Sequence, residues 1–245
     1  MITAYHRPKT LDEALALLTQ PDTRPLGGGT LLSQGKSDSV HAVDLQLLGL
    51  DSLRVNGNAL ELGATLTLQT LLESEHCPEA LKRALKLEAP LNIRNSATVA
   101  GTLVSCDGRS TFATVLLAFD AKITVISNQS SVISLGEFLP LRPRGLITSI
   151  TFPLNLKLAF EYVSRTPADK PIVCVALAQW NSGRTRLAVG GYGKSPMLAM
   201  DGTASDDVAT AARNAFHEAT DDYGSAEYRM DVASTLAKRC LGSVN

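Results

Sequence analysis

Apolar residues recur at three- and four-residue spacing from Leu11 through Ala14 and Leu15 to Leu18, which predicts a helix with one buried face. Thr10 and Glu13 stand at its start with the spacing of a capping box, and Pro21 closes it. The same period predicts short helices over residues 67–75, 78–87 and 112–119; in the second, Ala80, Leu81, Ala84 and Leu85 form the inward face. Short apolar or alternating runs predict strands over 41–45 and Lys122–Ile126. Residues 53–55 and 59–62 read as a hairpin about Asn56-Gly57. The stretches 93–102 and 135–145 read as turns, the second ending in a proline-rich, positively charged surface turn at Arg142, Pro143, Arg144 and Gly145.

Beyond about Thr148 the pattern changes. Strands are expected over 146–151, 158–163, 172–179 and Thr185–Gly190, followed by helices near 204–218 and 226–241. Strands first and helices afterwards predict an α+β unit with helices on one face of an antiparallel sheet, and a boundary near Pro153 divides the chain into 1–152 and 153–245.

Composition narrows the function classes. With 245 residues and 44% hydrophobic content the chain is long and apolar enough to bury a real core, which excludes disorder. Lys and Arg number 23 against 24 Asp and Glu, so no global field attracts nucleic acid or an anionic membrane. No run approaches the ~20 apolar residues of a membrane span. The first residues carry charges and a proline where a secretory signal has its apolar stretch, so a cytoplasmic location is expected. Cys77, Cys106, Cys174 and Cys240 form no CxxC pair, and free thiols are expected rather than a zinc or iron–sulfur site. His6, His41, His76 and His217 stand in no arrangement with a serine or cysteine, and no HExxH pattern occurs, so hydrolytic chemistry has no support.

Candidate chemistry lies in glycine-containing segments. Gly27, Gly28, Gly29 and Thr30 let backbone approach a ligand and can point amides at an anion, although a ligand-free turn has the same composition. Thr98, Gly101 and Thr102 combine small residues with hydroxyls able to meet a phosphate or ribityl chain, or simply to form a turn. Gly190, Gly191 and Gly193 either approach a ligand or let a strand end. With so few reactive side chains, a reaction carried by a cofactor is the better inference.

Four stretches resemble the FAD-binding middle subunit of the molybdenum hydroxylases, the xanthine dehydrogenase and carbon monoxide dehydrogenase family. Leu26 to Leu32 with Lys36 is similar to the family's A-G-G-T-D-L-L turn, and Leu62, Gly63, Ala64, Thr65 and Thr67 to its L-G-A-x-x-T element. The run from Ile93 to Ala121 is similar to I-R-N-x-A-T-I-G-G-N-I followed by L-L-A-L-D-A. Arg186 to Gly193 with Pro196, and Ser225 to Arg229, look like the C-terminal flavoprotein domain.

The resemblance implies a two-part FAD-binding domain of the vanillyl-alcohol-oxidase (PCMH) type, with subdomains about 1–50 and 51–152, and then a C-terminal α+β domain. FAD would be held by Leu26, Gly27, Gly28, Gly29, Thr30 and Leu31 on one side, and by Ile93, Asn95, Thr98, Gly101 and Thr102 on the other. The flavin ring would lie at the domain boundary near the turn carrying Arg165, Asp169 and Lys170. The implied role is electron relay, from a molybdopterin-binding large subunit through a [2Fe–2S] small subunit to NAD or another acceptor. The chain departs from the family pattern at Leu31, Ala100, Thr102, Thr111 and Ala113. Thr111 replaces an aspartate, for which Asp107 is the candidate substitute. These departures motivate a second reading, a scaffold subunit with weak or no flavin binding. A third is a stand-alone flavoenzyme, for which no acid or base is legible.

Overall fold

The chain begins with a small parallel sheet. β1 (Ile2–His6), β2 (Thr23–Leu26) and β3 (Val40–Asp44) pair in the order β1-β3-β2, and α1 (Leu11–Leu18) connects the first two. Both halves of the capping box form: Glu13 N donates to Thr10 Oγ1 at 3.2 Å and Thr10 N to Glu13 Oε2 at 3.3 Å. The helix buries Ala14 against Val43, Leu45 and Leu146. The computed structural model describes residues 1–32, 39–127, 129–203 and 207–244.

A five-stranded antiparallel sheet follows. It contains β4 (Leu53–Asn56), β5 (Ala59–Gly63), β6 (Lys122–Ile126), β7 (Ser130–Ser134) and β8 (Leu146–Pro153), in the order β4-β5-β8-β6-β7. Between β5 and β6 run α2 (Leu68–Glu73), α3 (Glu79–Glu88), α4 (Leu91–Arg94), α5 (Val99–Ser105) and α6 (Thr111–Ala118); α7 (Leu135–Leu141) joins β7 to β8. The third sheet is an antiparallel meander of β9 (Leu156–Val163), β10 (Val173–Trp180), β11 (Thr185–Gly190) and β12 (Met197–Gly202). It is followed by α8 (Val208–Asn214) and α9 (Ala226–Val244).

The α+β class and the hairpin about Asn56-Gly57 match expectation. Two stretches read as turns do not. Residues 93–102 contain the end of α4 and the start of α5, with Thr98 as N-cap, so Gly101 and Thr102 lie in a helix. Residues 135–141 form α7, capped by Ser134, with Pro140 near its end. Arg142 is not a solvated turn residue but a half-buried C-cap in the left-handed region, φ 44°. The strands β1, β2, β7 and β12 had no apolar alternation to announce them. β2 contains Pro25, tolerated because β2 is an edge strand. Of the helix expected near 204–218, residues 204–206 lie outside the described residues and α8 spans Val208–Asn214.

α6 is buried along its whole length, lying against α3 on one side and β10 and β11 on the other. The facing residues of β10 are small: Cys174, Ala176 and Ala178 share a core with α6, while Val173, Val175 and Leu177 face α8 and α9. The approach is close, since a Cβ at Gly190 would lie 2.4 Å from Thr114 Oγ1. Burial pushes the thiols of Cys77, Cys174 and Cys240 up to about 12, as suits inert core cysteines.

At the far end of α6, Asp120 accepts from Arg184 at 3.1 Å and lies 3.4 Å from Arg186, and both arginines also pair with Asp201. The Arg184 hydrogen bond foremost, against partial desolvation, holds Asp201 below the ordinary carboxylate range. A folded-state value below the unfolded one, about 3.9, means stabilisation that is complete above that pH and lost as pH falls through the folded value. Asp201→Asn should therefore lower the urea midpoint near neutral pH and flatten its dependence below about pH 4; an unchanged acid limb would contradict this.

Candidate functional site

All three parallel strands end at one edge of their sheet, at His6, Leu26 and Asp44, and the 27–30 loop leaves β2 there. Carboxyl ends of parallel strands are the usual place for a ligand, because loops diverge from them. Asp44 ties this edge together: its side chain is 4% exposed, accepts from Tyr5 Oη and from Gln46 N at 2.9 Å, and lies 3.5 Å from Arg7 Nε. Sequence reasoning missed Asp44, since a strand-end aspartate has no motif of its own.

The structure brings the two glycine-containing segments into contact. A Cβ at Gly28 would lie 1.5 Å from the Ser96 carbonyl oxygen, and one at Gly27 would lie 2.9 Å from Thr98 Oγ1. Gly29 adopts φ +70°, and Leu26 Cδ1 lies 3.4 Å from its ideal Cβ position. Thr98 is the pin between the segments: Oγ1 accepts from Gly101 N at 3.1 Å, and a Cβ at Gly101 would approach it to 2.8 Å. Gly27 and Gly28 are thus required by loop-on-loop contact, and Gly29 by its left-handed backbone. Leu31 is exposed, and Lys36 lies outside the described residues.

The amino end of α5 is not a vacant anion site. Val99 N donates to Leu66 O at 2.9 Å, Ala100 N to Ala64 O at 3.2 Å, and Thr102 N to Thr98 O at 2.9 Å. The Thr102 hydroxyl also donates to Thr98 O, at 2.8 Å. The segment after β5 is therefore the backbone partner of α5. By contrast, among the described residues the amides of Gly27 and Gly28 donate to no protein acceptor. Ile93 and Asn95 sit at the end of α4 with exposed side chains; the Ile93 carbonyl accepts from Ala97 N at 2.7 Å and shapes the approach to Thr98.

Asp107 and Lys170 meet elsewhere, at the junction with the C-terminal sheet. Lys170 Nζ lies 3.6 Å from Asp107 Oδ1 and 3.8 Å from Glu88 Oε1, and Arg109 Nε donates to Pro171 O at 3.0 Å. Arg109 also lies 4.1 Å from the Tyr223 ring centroid, with Arg165 at 5.3 Å from the same centroid. Thr111, at the position of the missing aspartate, is fully buried and donates to Ala84 O at 2.7 Å. Glu88 supplies a carboxylate instead, accepting from Ser110 Oγ at 2.8 Å and Phe112 N at 3.0 Å at the amino end of α6, where the helix dipole favours it. Gly190, Gly191 and Gly193 serve docking: Gly108 N donates to Gly193 O at 2.9 Å and Gly191 N to Gly108 O at 2.6 Å.

Among the described residues no group of His, Cys, Asp and Glu could hold a metal ion, and no helix is long and apolar enough to cross a membrane. The arrangement supplies backbone donors, hydroxyls and a shaped surface, the equipment of a nucleotide-cofactor site. Residues 1–155 match the FAD-binding domain of molybdopterin dehydrogenases, and the chain belongs to that family. It is an FAD-binding oxidoreductase subunit of the molybdenum hydroxylase class. The carbon monoxide dehydrogenase medium chain of Afipia carboxidovorans is 26% identical, over 97% of this chain and 94% of that one. The glyceraldehyde dehydrogenase medium chain of Sulfolobus acidocaldarius is 26% identical over 98% of both. In fold, the chain superimposes on a chain of the cyanide-inactivated Cu,Mo-CO dehydrogenase with TM-score 0.86, 24% identity and coverage of 100% and 98%.

At the 27–30 loop, Gly27 and Gly28 offer amides that no described protein group takes, a donor set whose chemistry suits the phosphates of FAD. Thr98→Val removes the N-cap acceptor and sets a methyl against Gly27. It should cost about 1 kcal/mol of apo stability and about fivefold in FAD affinity, with Thr98→Ser near wild type. Thermal melts and flavin fluorescence titrations would check both.

Proposed function

We propose that this chain is the electron-relay subunit of a cytoplasmic molybdenum hydroxylase complex, receiving electrons from [2Fe–2S] clusters on a small partner and passing them to NAD or another acceptor. A molybdopterin-binding large subunit would complete the assembly. The observation that carries this reading is the meeting of two sequence-distant glycine segments at Thr98, with the Gly27 and Gly28 amides left for a ligand. When bound, FAD supplies the two-electron acceptor that can also release electrons singly.

The protein's contribution is binding and orientation. Gly27, Gly28, Gly29 and Thr30 hold the pyrophosphate, Leu26 and Leu31 flank that loop, and Thr98, Gly101 and Thr102 form the opposing wall with Ile93 and Asn95 leading into it. Asp107 and Lys170 stand at the junction of the two halves, at the approach to the ring, and the chain divides near Pro153 into a cofactor-binding part, 1–152, and a C-terminal part that covers it, 153–245. The relatives named as medium chains support a multi-subunit setting.

The test is the visible absorption of freshly purified protein, repeated on the supernatant after denaturation and after incubation with FAD. Close to one equivalent of released flavin is expected, together with co-purification of iron–sulfur and molybdenum partners under native expression. Absence of flavin before and after reconstitution would overturn the reading for the isolated chain.

A further inference from the structure

The helix that bears Thr98, Gly101 and Thr102 is held at both ends by distant parts of the chain. α5 has seven residues, so it is one short rod of about 10 Å, and movement at its carboxyl end is passed to its amino end. The last carbonyls of a helix have no donor within it. Here the Ser105 hydroxyl reaches Thr102 O at 3.4 Å and the Cys106 thiol Leu103 O at 3.2 Å, and one distant side chain, Arg142, supplies the rest. Arg142 Nη1 donates to Leu103 O at 3.2 Å and to Val104 O, and Nη2 donates to Cys106 O at 2.8 Å. The same guanidinium reaches Lys194 O at 3.5 Å from Nη2 and Leu139 O at 3.0 Å from Nε.

Three features set this residue apart from an ordinary surface arginine. Its positive charge sits at the end of α5 where the helix dipole favours a cation. The planar fork of an arginine, with five donors, serves these five carbonyls from three segments at once, whereas a lysine ammonium has three donors and no fork. Its backbone is left-handed, φ 44° and ψ 55°, a conformation that favours glycine, yet an arginine occupies it. Lys194 lies in the turn whose Gly193 accepts from Gly108, so Arg142 joins α5 both to α7 and to the C-terminal sheet.

We propose that Arg142 is a positioning residue of the cofactor site: by clamping the carboxyl end of α5 to α7 and to the 191–194 turn, it keeps the Thr98 end seated against Gly27 and Gly28. The proposal rests on the reading that FAD is held between the 27–30 loop and α5. It separates stability from affinity. Arg142→Gly removes the guanidinium but relieves the left-handed backbone, so apo stability should move little while FAD affinity falls on the order of tenfold. Arg142→Lys keeps the charge without the fork and should lose affinity to a similar extent.

The experiment is FAD titration by flavin fluorescence on wild type, Arg142→Gly and Arg142→Lys, with apo thermal melts and hydrogen exchange of residues 101–105. Weakened binding with faster exchange in α5 and a near-constant apo melting temperature supports the proposal. Wild-type affinity and exchange in both variants overturns it. If Arg142→Gly does not fold, Arg142→Lys decides, and wild-type affinity in that variant overturns the proposal. If the wild type itself binds no FAD, the functional reading fails, and exchange in α5 alone then decides whether Arg142 holds the helix: faster exchange in the variants supports the clamp, unchanged exchange overturns it.

Discussion

Gly28→Ala is expected to yield protein that is folded but purifies without flavin, with FAD affinity reduced by at least about a hundredfold, or about 3 kcal/mol. The added Cβ would stand 1.5 Å from the Ser96 carbonyl oxygen and 3.2 Å from Ala97 N. Both are backbone atoms of the segment that leads into Thr98, so neither can rotate away. The 27–30 loop must lift, which separates the glycine amides from α5. Two neighbours calibrate the effect. At Gly27 the obstacle is the Thr98 side chain, at 2.9 Å and 3.1 Å, which can yield; at Gly29 the cost is the left-handed backbone, about 1–2 kcal/mol. Flavin-to-protein ratio after purification, with circular dichroism of the apo forms, would rank the three. Full flavin content in Gly28→Ala would mean that the loop does not depend on its seat against Ser96.

Arg229→Met should be the most destabilising single change away from the cofactor site, by about 3–5 kcal/mol. The Arg229 side chain is fully buried. Its guanidinium donates to Ala219 O and, at 2.8 Å, to Gly224 O; Nη2 meets Asp221 Oδ1 at 2.6 Å. Nε donates to Ile172 O at 3.4 Å, at the entry to β10, and the Tyr192 ring centroid lies 5.2 Å away. Methionine fills much of the volume but takes the guanidinium from the Ala219 and Ile172 carbonyls and leaves the Asp221 carboxylate with only the amides of Tyr223 and Gly224. Desolvation pushes Asp221 up, yet the Arg229 hydrogen bond and the amides of Tyr223 and Gly224 outweigh it and hold the carboxyl below the ordinary range, and that balance would be lost. A melting-temperature drop on the order of 10 °C is expected in a chain of this size. Arg213→Met is the control: its pair with Asp231 is exposed, so its loss should be worth no more than about 1 kcal/mol. Equal drops for the two variants would show that Arg229 does not organise the 219–224 loop.

How much could be read in advance varies by residue. The capping box of Thr10 and Glu13 was legible because donor and acceptor lie three residues apart and need no tertiary partner. The hairpin about Asn56-Gly57 was legible for the same reason. α5 was misread because its residues are small and glycine-bearing, which pattern reasoning takes for a turn; it is a helix because Thr98 caps it and the 64–66 segment takes its first amides. Arg142 was misread as a solvated charge, since the carbonyls it serves come from positions as distant as Leu103 and Lys194. Glu88 and Asp44 carried no signal, because a lone carboxylate acquires meaning only from the donors that surround it.

Local pattern was enough for the α+β class, the main strands and helices after Leu53, and the candidate glycine segments, since periodicity and capping act within a few residues. The family resemblance lay in the order of those segments along the chain. Only the folded chain decided that Gly27 and Gly28 press on Ser96 and Thr98, that the amino end of α5 is already satisfied, and that Asp107 and Lys170 meet Glu88 and Arg109 at the junction of the halves. These are contacts between residues far apart in sequence, set by how sheets and helices bury their apolar faces, and no short-range rule encodes them.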